Sequence, residues 1–367
     1  MTVTATAGQP AWTHSLFRSG WLDGSALNFF LEELNPAWSL VRPAVRIRQI
    51  IEETHDTRSF VFKPAWGFGR AIAGQHVGIG VDIDGRRHER RYSISNAPAA
   101  QARGLATITV KREPNGKVSN HLHDRIKVGD RVFVSPPQGD FVLPSPAPQK
   151  LLLIAAGSGI TPLMAQLRSL LSGRYSGSIV LLNYVRSQQD RIFGAALDEL
   201  AEHHPQLSVH WCLEKENAER FSAGQLQQRV PDYAERFALL CGPAGFMQVV
   251  RQHWHEQALD ERLRFEYFGT PQPLKSDDKP AGVAAHIALA RSGRSIAAEA
   301  NQSALAALEA AGETPSYGCR MGICQSCRCR KVSGPVRNLL TGAVSHEPNE
   351  EIQLCISAAE DDLVLDY

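Results

Sequence analysis

The chain of 367 residues has no apolar run long enough to span a bilayer, no internal repeat and no signal-peptide pattern. It has only seven cysteines, and an odd number without a secretory signal argues against a disulfide framework. The net charge of +1 is too small to suggest binding to nucleic acid. What remains is an ordinary globular composition, 43% hydrophobic and 21% charged, in a chain long enough for two or three domains.

The spacing of four cysteines is the most specific pattern in the chain. They are Cys319, Cys324, Cys327 and Cys355. C-x4-C-x2-C followed by a distant cysteine is the ligand spacing of a plant-type [2Fe–2S] cluster. A structural zinc site remains the alternative, but such sites usually have two C-x2-C pairs, and only one is found here. Cys329 and Cys212 are predicted to lie outside the cluster, Cys212 within an apolar strand.

Positive charge surrounds the cysteine loop. The cations are Arg320, Arg328, Arg330 and Lys331. We expect their charge to raise the cluster potential and to steer an acidic acceptor protein toward the loop. The alternative is that these side chains pair with carboxylates of neighbouring domains.

The first half of the chain contains an extension and then a β-rich segment. In the N-terminal extension, residues 1–41, apolar positions 27, 30, 31 and 34 share one helical face. That helix either packs on the next domain or docks on a partner or membrane surface. In residues 42–145, short alternating runs separated by Gly, Pro and Asp predict an antiparallel β-barrel. This segment has 17 Lys and Arg against 10 Asp and Glu, which suits a phosphate-bearing cofactor or a solvated basic surface.

The second half changes pattern twice. Residues 149–270 alternate apolar strands with helices, which predicts a doubly wound parallel sheet of the α/β class. The composition of residues 271–281 is typical of a linker. In residues 282–367, a hairpin precedes a helix capped by Asn301 or Ser303, and the cysteine loop follows. This last segment is therefore predicted to be a small α+β domain that holds the cluster.

Two short motifs in the barrel segment suit a flat, phosphorylated cofactor. In Arg90-Arg91-Tyr92-Ser93, an aromatic ring can stack, a hydroxyl can hydrogen-bond and an arginine can bind a diphosphate. About 25 residues further on, Gly116-Lys117-Val118-Ser119 places a glycine turn before a helix start, which is a ready anion site.

Two more motifs follow buried strands of the α/β segment. Gly157-Ser158-Gly159-Ile160-Thr161-Pro162 opens a helix, where glycines allow a ligand to approach the backbone. Cys241-Gly242-Pro243 follows another buried strand. Because carboxyl ends of parallel strands share one sheet edge, the two turns predict a single ligand site.

In this order, the four motifs resemble the ferredoxin–NADP reductase superfamily. The stretch 110–123 is similar to the reductase half of flavohaemoglobins. The domain order of flavin, nicotinamide and C-terminal ferredoxin resembles oxygenase reductases, over about residues 42–367. The resemblance implies FAD, a [2Fe–2S] cluster and NADPH or NADH as cofactors, and a β-grasp fold for the last domain.

The resemblance also implies roles for individual residues. The residues implied to act at the reacting flavin and nicotinamide rings are Ser93, Thr161, Glu266 and Phe268. Those implied to bind flavin or nucleotide are Arg90, Tyr92, Ser93, Val110, Lys111, Gly116, Lys117, Val118, Ser119, Gly157, Gly159, Thr161, Cys241, Gly242 and Pro243. The cluster ligands are the four spaced cysteines.

The implied activity is an NAD(P)H-dependent oxidoreductase that passes electrons through FAD and the cluster to an acceptor protein. Asn35-Pro36-Ala37-Trp38-Ser39 resembles the extension of bacterial reductases that serve membrane fatty acyl desaturases, so a desaturase is the expected acceptor. A soluble ring-hydroxylating or haem-thiolate oxygenase is the alternative. The expected location is cytoplasmic, or peripheral at the inner membrane face through the extension. Arg186, Ser187 and Arg191 follow the second strand and slightly favour NADPH.

Overall fold

The computed structural model describes residues 43–65, 68–97, 104–268, 285–317, 327–339 and 342–367. The described residues form two compact units. The first takes those up to Cys241 together with Arg262–Phe265, and the second takes Gly242–Glu261 and those from Glu266 onward. The predicted N-terminal helix, the linker and most of the cysteine loop lie outside the described residues.

The first unit begins with a six-stranded antiparallel barrel. Its strands are β1 Ala44–Thr54, β2 Thr57–Phe62, β3 His76–Ile83, β4 Arg86–Ser93, β5 Ala106–Lys111 and β6 Arg131–Val134. They lie in the order β4-β3-β6-β1-β2-β5, and a bridge between Ile94 and Ile108 joins the two outer strands. Helix α1, Lys117–Asp124, contacts β3 and β4. Alternation buries one face of each strand, as at Ile108 and Val110 of β5.

The same unit continues into an α/β sheet. Its strands are β7 Lys150–Ala156, β8 Ser178–Val185, β9 Leu207–Leu213, β10 Phe237–Gly242 and β11 Leu263–Tyr267. The order is β11-β10-β7-β8-β9, and β10, β7, β8 and β9 pair in parallel. The helices are α2 Ile160–Ser172, α3 Gly194–His203, α4 Glu214–Asn217 and α5 Ala223–Arg229. The predicted doubly wound parallel sheet is thereby confirmed. Its central strands β7, β8 and β10 are buried almost throughout, as expected for parallel strands covered on both faces.

The second unit holds helix α6, Ala244–Glu256, and the C-terminal domain. The domain's elements are β12 Ala285–Leu289, β13 Ser295–Ala298, α7 Ala304–Ala310, β14 Arg328–Ser333, β15 Val336–Asn338, β16 Val344–Ser345, β17 Glu350–Gln353, β18 Ser357–Ala359 and β19 Leu363–Leu365. Two sheets form, in the orders β13-β12-β19-β14-β17 and β16-β15-β18. Ser303 caps α7, since its hydroxyl accepts a hydrogen bond from the Ala306 N–H at 3.2 Å, so the cap is Ser303 rather than Asn301.

Within the described ranges, none of the helices combines the length and the apolar character that a membrane crossing requires.

Candidate functional site

The first two motifs meet at one end of the barrel. Tyr92 and Ser93 are the last residues of β4, and Gly116 is the N-cap of α1, which contacts that strand. Burial raises the pKa of the Tyr92 hydroxyl, and the charges of Arg90 and Glu113 also act on it. The end of β4 and the turn at the start of α1 are therefore neighbours. The structure brings together two segments that are far apart in sequence.

Ser93 carries a buried polar atom without a partner among the residues that the structure describes. Its side chain is 2% exposed, and its Oγ makes no hydrogen bond to any residue that the structure describes. A buried hydroxyl without a partner is costly, so its expected partner is a bound group. A flat ring with polar edge atoms, stacked near Tyr92, fits this arrangement.

The start of α1 is shaped as an anion site. The Ser119 hydroxyl accepts from the Glu113 N–H at 3.2 Å, which holds the turn before the helix. A Cβ at Gly116 would lie 2.4 Å from Ser119 Oγ, so only glycine fits there. Lys117 is exposed beside this helix start, where a phosphate would also meet free N–H groups.

The two α/β motifs lie at one edge of the sheet, as predicted. β10 pairs with β7 in parallel with Cys241 beside Ala155, so both strands end at the same edge. Gly157 has a positive φ of 53°, and a Cβ built there would meet nothing within 4 Å. The turn is thus open on the side where a ligand would approach. Thr161 begins the helix beyond it, buried, with its hydroxyl donating to the Ser158 carbonyl at 2.9 Å.

Two of the four predicted cluster ligands are described, and they are neighbours. Cys327 and Cys355 are 2% and 5% exposed. Their side-chain hydrogen bond is the largest cause that lowers the pKa of Cys327, to about 6, against the effect of burial. Cys319 and Cys324 lie outside the described residues. The pair suits a metal centre, because thiolate is the ligand form of cysteine. Cys329 instead packs in the domain core, with its sulfur 3.9 Å from the Asp366 carbonyl.

The positive side chains described near the loop are paired with carboxylates. Arg328 pairs with Glu351 at 3.6 Å, and Arg330 pairs with Asp366 at 2.9 Å. Lys331 is 0% exposed and pairs with Glu350 at 2.6 Å. The prediction that Lys331 faces an acceptor is therefore wrong, because β14 turns it inward. All three pairs lie within the C-terminal domain, whereas the alternative expected partners on other domains.

The residues at the end of β11 belong to the second unit. Glu266 is 7% exposed and Phe268 is 42% exposed. Between them, the buried Tyr267 hydroxyl accepts from Arg251 Nη1 at 2.8 Å. Tyr267 is therefore held within the core of this unit, while the roles of Glu266 and Phe268 stay predictions.

Sequence reasoning missed two polar residues of α2. Gln166 and Arg168 donate hydrogen bonds to barrel carbonyls, at Phe141 and Ser95 respectively. A signal was present in the sequence. Gln166 and Arg168 interrupt an otherwise apolar helical run at positions that do not lie on its solvent side, in Leu-Met-Ala-Gln-Leu-Arg-Ser-Leu-Leu.

Comparison with known proteins gives three successive domain matches. Residues 44–143 match the oxidoreductase FAD-binding domain, 153–252 the oxidoreductase NAD-binding domain and 287–360 the 2Fe-2S iron-sulfur cluster binding domain. An NADPH oxidoreductase of Mycobacterium tuberculosis is 41% identical over 92% of this chain and 87% of its own length. A glycine betaine monooxygenase reductase subunit of Pseudomonas aeruginosa is 30% identical over 93% and 99%.

A solved structure matches nearly the whole length of the chain. Phthalate dioxygenase reductase, described as modular for electron transfer from pyridine nucleotides to [2Fe–2S], has a TM-score of 0.56 and 26% identity, and covers 92% of this chain and 99% of its own. The three domains account for FAD, NAD(P) and a [2Fe–2S] cluster as cofactors. The buried Ser93 hydroxyl, the open Gly157 turn and the paired thiols are the candidate positions for those cofactors in the chain. The chain belongs to the ferredoxin–NADP reductase superfamily, as a three-domain NAD(P)H-dependent reductase of the flavin and [2Fe–2S] type.

Proposed function

We propose that FAD binds at the end of β4, with its ring system against Tyr92 and its polar edge at the Ser93 hydroxyl. The observation that carries this placement is the buried Ser93 Oγ without a partner among the described residues. Arg90 and the N-terminus of α1 would hold the diphosphate by charge and by free N–H groups. Gly116 keeps the turn before α1 tight, because a Cβ there would lie 2.4 Å from Ser119 Oγ.

The nicotinamide nucleotide would bind at the 157–159 turn, beside the end of β10 at Cys241. When bound, FAD accepts a hydride from the nicotinamide and releases its electrons singly to the cluster. The protein's part is to hold the two rings together and to exclude water. Thr161, buried at the start of α2, would border the reacting rings. Cys319, Cys324, Cys327 and Cys355 would bind the irons as thiolates.

We propose NADPH as the natural donor. Of the three candidates for the 2′-phosphate, Ser187 donates to Asp190 at 2.6 Å and Arg191 binds Asp198 at 2.5 Å. Arg186 is exposed, and its guanidinium makes no hydrogen bond or ion pair with another described residue, so it can meet a phosphate. The name of the 41% identical relative, an NADPH oxidoreductase, supports the same donor.

We propose an oxygenase as the electron acceptor. The glycine betaine and phthalate relatives are named as partners of a monooxygenase and a dioxygenase. The expectation of a membrane desaturase depends on residues 1–41, which lie outside the described part of the chain. The relatives therefore support the alternative over the main expectation, and a soluble oxygenase is the acceptor we favour.

A spectroscopic experiment tests the electron path, and a coupling experiment tests the acceptor. The purified protein under argon should show flavin bands over broad iron–sulfur absorption, and NADPH should bleach both. A colourless protein, even after reconstitution with FAD, iron and sulfide, would overturn the cofactor assignment.

For the acceptor, the reduced protein is mixed with a purified ring-hydroxylating oxygenase, a haem-thiolate monooxygenase or desaturase-containing membranes. We expect NADPH-driven product only with an oxygenase, and no change when residues 1–41 are deleted. Product only with the membranes, lost on that deletion while dye reduction is spared, would replace the oxygenase with the desaturase.

A further inference from the structure

Helix α2 is tied to the barrel by two side-chain hydrogen bonds. Gln166 is 0% exposed, and its Nε2 donates to the Phe141 carbonyl at 2.6 Å. Arg168 Nη1 donates to the Ser95 carbonyl at 3.1 Å. Both acceptors are backbone atoms of the barrel side of the first unit. The helix is therefore fixed against specific points of the chain rather than by apolar packing alone.

The Ser95 carbonyl is held rigidly in the barrel. The Ser95 N–H donates to the Thr107 carbonyl at 2.9 Å. Its hydroxyl lies 2.8 Å from Thr109 Oγ1, which lies 2.7 Å from Ser59 Oγ, and Ser59 donates to Glu53 at 2.6 Å. A chain of buried hydroxyls thus runs back from Ser95 to a carboxylate. Bonds of this kind reinforce one another inside a protein.

Arg168 is restrained on its other side as well. Its guanidinium carbon lies 5.4 Å from the centroid of the Phe193 ring, at the start of α3. Burial lowers the pKa of this guanidinium, and the charge of Glu53 partly offsets that effect. A guanidinium held by a carbonyl on one side and an aromatic ring on the other has one preferred position.

The second tie requires close backbone approach. Gly74 has φ +99°, and a Cβ there would lie 1.9 Å from the Phe141 carbonyl oxygen and 2.5 Å from Gln166 Nε2. Only glycine allows the barrel loop to come this near to the helix. The two ties are separate, so loss of one need not release the helix.

We propose that Arg168 is a positioning residue for hydride transfer. Ser95 lies two residues after Ser93, where the flavin edge is placed, and α2 begins immediately after the glycine turn that would hold the nicotinamide. One hydrogen bond therefore links the segment that carries the hydride acceptor to the helix that carries the donor. This inference rests on the proposed placement of FAD and NADPH.

The test compares Arg168→Met and Arg168→Lys with a matched control, Arg174→Met. Arg174 lies just past the end of the same helix and is exposed, so its loss removes the same charge without removing the tie. Flavin bleaching is followed anaerobically by stopped flow against NADPH concentration, with NADPH and with NADPH deuterated at the transferred position. The limiting rate, the dissociation constant and the flavin reduction potential are each measured.

We expect Arg168→Met to lower the limiting rate about tenfold or more, because reacting atoms displaced by about 1 Å can lose that much. The isotope effect should persist, the dissociation constant should change by less than about twofold, and the potential should not move. Arg168→Lys should recover part of the rate, and Arg174→Met should match the wild type.

A limiting rate for Arg168→Met equal to that of the control would overturn the proposal. So would a variant in which only the dissociation constant for NADPH or the flavin reduction potential changes. If Arg168→Met does not retain FAD, the same comparison is made with Arg168→Lys alone. An unchanged rate for Arg168→Lys then overturns the proposal. Failure of the proposed reductase function is seen separately, because the wild-type flavin would then not be bleached by NADPH.

Discussion

Replacing Ser93 with alanine should separate binding of FAD from stability of the protein. The Ser93 hydroxyl is buried and makes no hydrogen bond to any described residue. Leaving such a group unsatisfied costs about 1–3 kcal/mol. Ser93→Ala removes that cost along with a small side chain. We therefore expect the FAD-free protein to unfold at the same temperature as the wild type or at a slightly higher one.

With FAD bound, the same hydroxyl gains its partner. A typical hydrogen bond contributes about 0.5–1.5 kcal/mol, which corresponds to about a two- to tenfold change in affinity. Ser93→Ala should weaken FAD binding by that factor. It should also slow flavin reduction, because the ring edge loses a fixed contact.

Ser135→Ala is the matched control, since Ser135 is also a barrel serine but is bonded within the protein. Its Oγ accepts from the Gly78 N–H at 2.8 Å and donates to the Pro136 carbonyl at 3.0 Å. Its loss should cost about 1 kcal/mol and lower Tm by about 2–4 °C. FAD affinity should stay at the wild-type value.

Thermal unfolding of the FAD-free protein and titration with FAD, followed by quenching of flavin fluorescence, measure both quantities. If Ser93→Ala lowers Tm as much as Ser135→Ala, then the Ser93 hydroxyl has a partner in the protein. Unchanged FAD affinity in Ser93→Ala would equally refute the reasoning.

Three further predictions concern the cluster, the nucleotide and pH. Cys355→Ser should abolish the iron–sulfur absorption, whereas Cys329→Ser, in the core of the same domain, should retain it; loss in both would mean that the ligand set is wrong. Arg186→Ala should raise KM for NADPH about tenfold and leave KM for NADH unchanged, and an equal rise for both donors would contradict the 2′-phosphate role. Burial lowers the pKa of His123 despite its 2.9 Å hydrogen bond to the Val110 carbonyl. The neutral form is therefore favoured on folding, and the stability it contributes is full above about pH 6.5 and falls as pH decreases through the folded pKa. His123→Gln, which can keep the donor to Val110, should show a smaller drop in Tm between about pH 8 and about pH 5, and an equal drop would exclude His123 as its source.

Local patterns predicted the elements well where one periodicity dominates. The run 151–154 is apolar throughout, as expected for a parallel strand covered on both faces, and the structure extends it to Lys150–Ala156. Helix α2 begins at Ile160 and contains Pro162 in its first turn, where a proline costs no hydrogen bond. The domain boundaries themselves stay predictions.

The candidate site was predictable only in part. Glycine and aromatic motifs identified the segments that meet at the end of β4, because the cofactor constrains which residue types can stand there. The charges near the cysteine loop were misread for Lys331. Its ion pair with Glu350 forms across β14 and β17, and the register of those strands is a property of the folded domain.

The sequence by itself determined the cofactor classes of this protein, since ligand spacing and glycine turns are local requirements of the chemistry. It also determined the order of the domains. Only the tertiary structure decided which polar atoms are already paired and which, like Ser93 Oγ, are buried without a partner among the described residues. It alone revealed the bond from Arg168 to Ser95, because residues 73 positions apart meet only when the helix packs against the barrel.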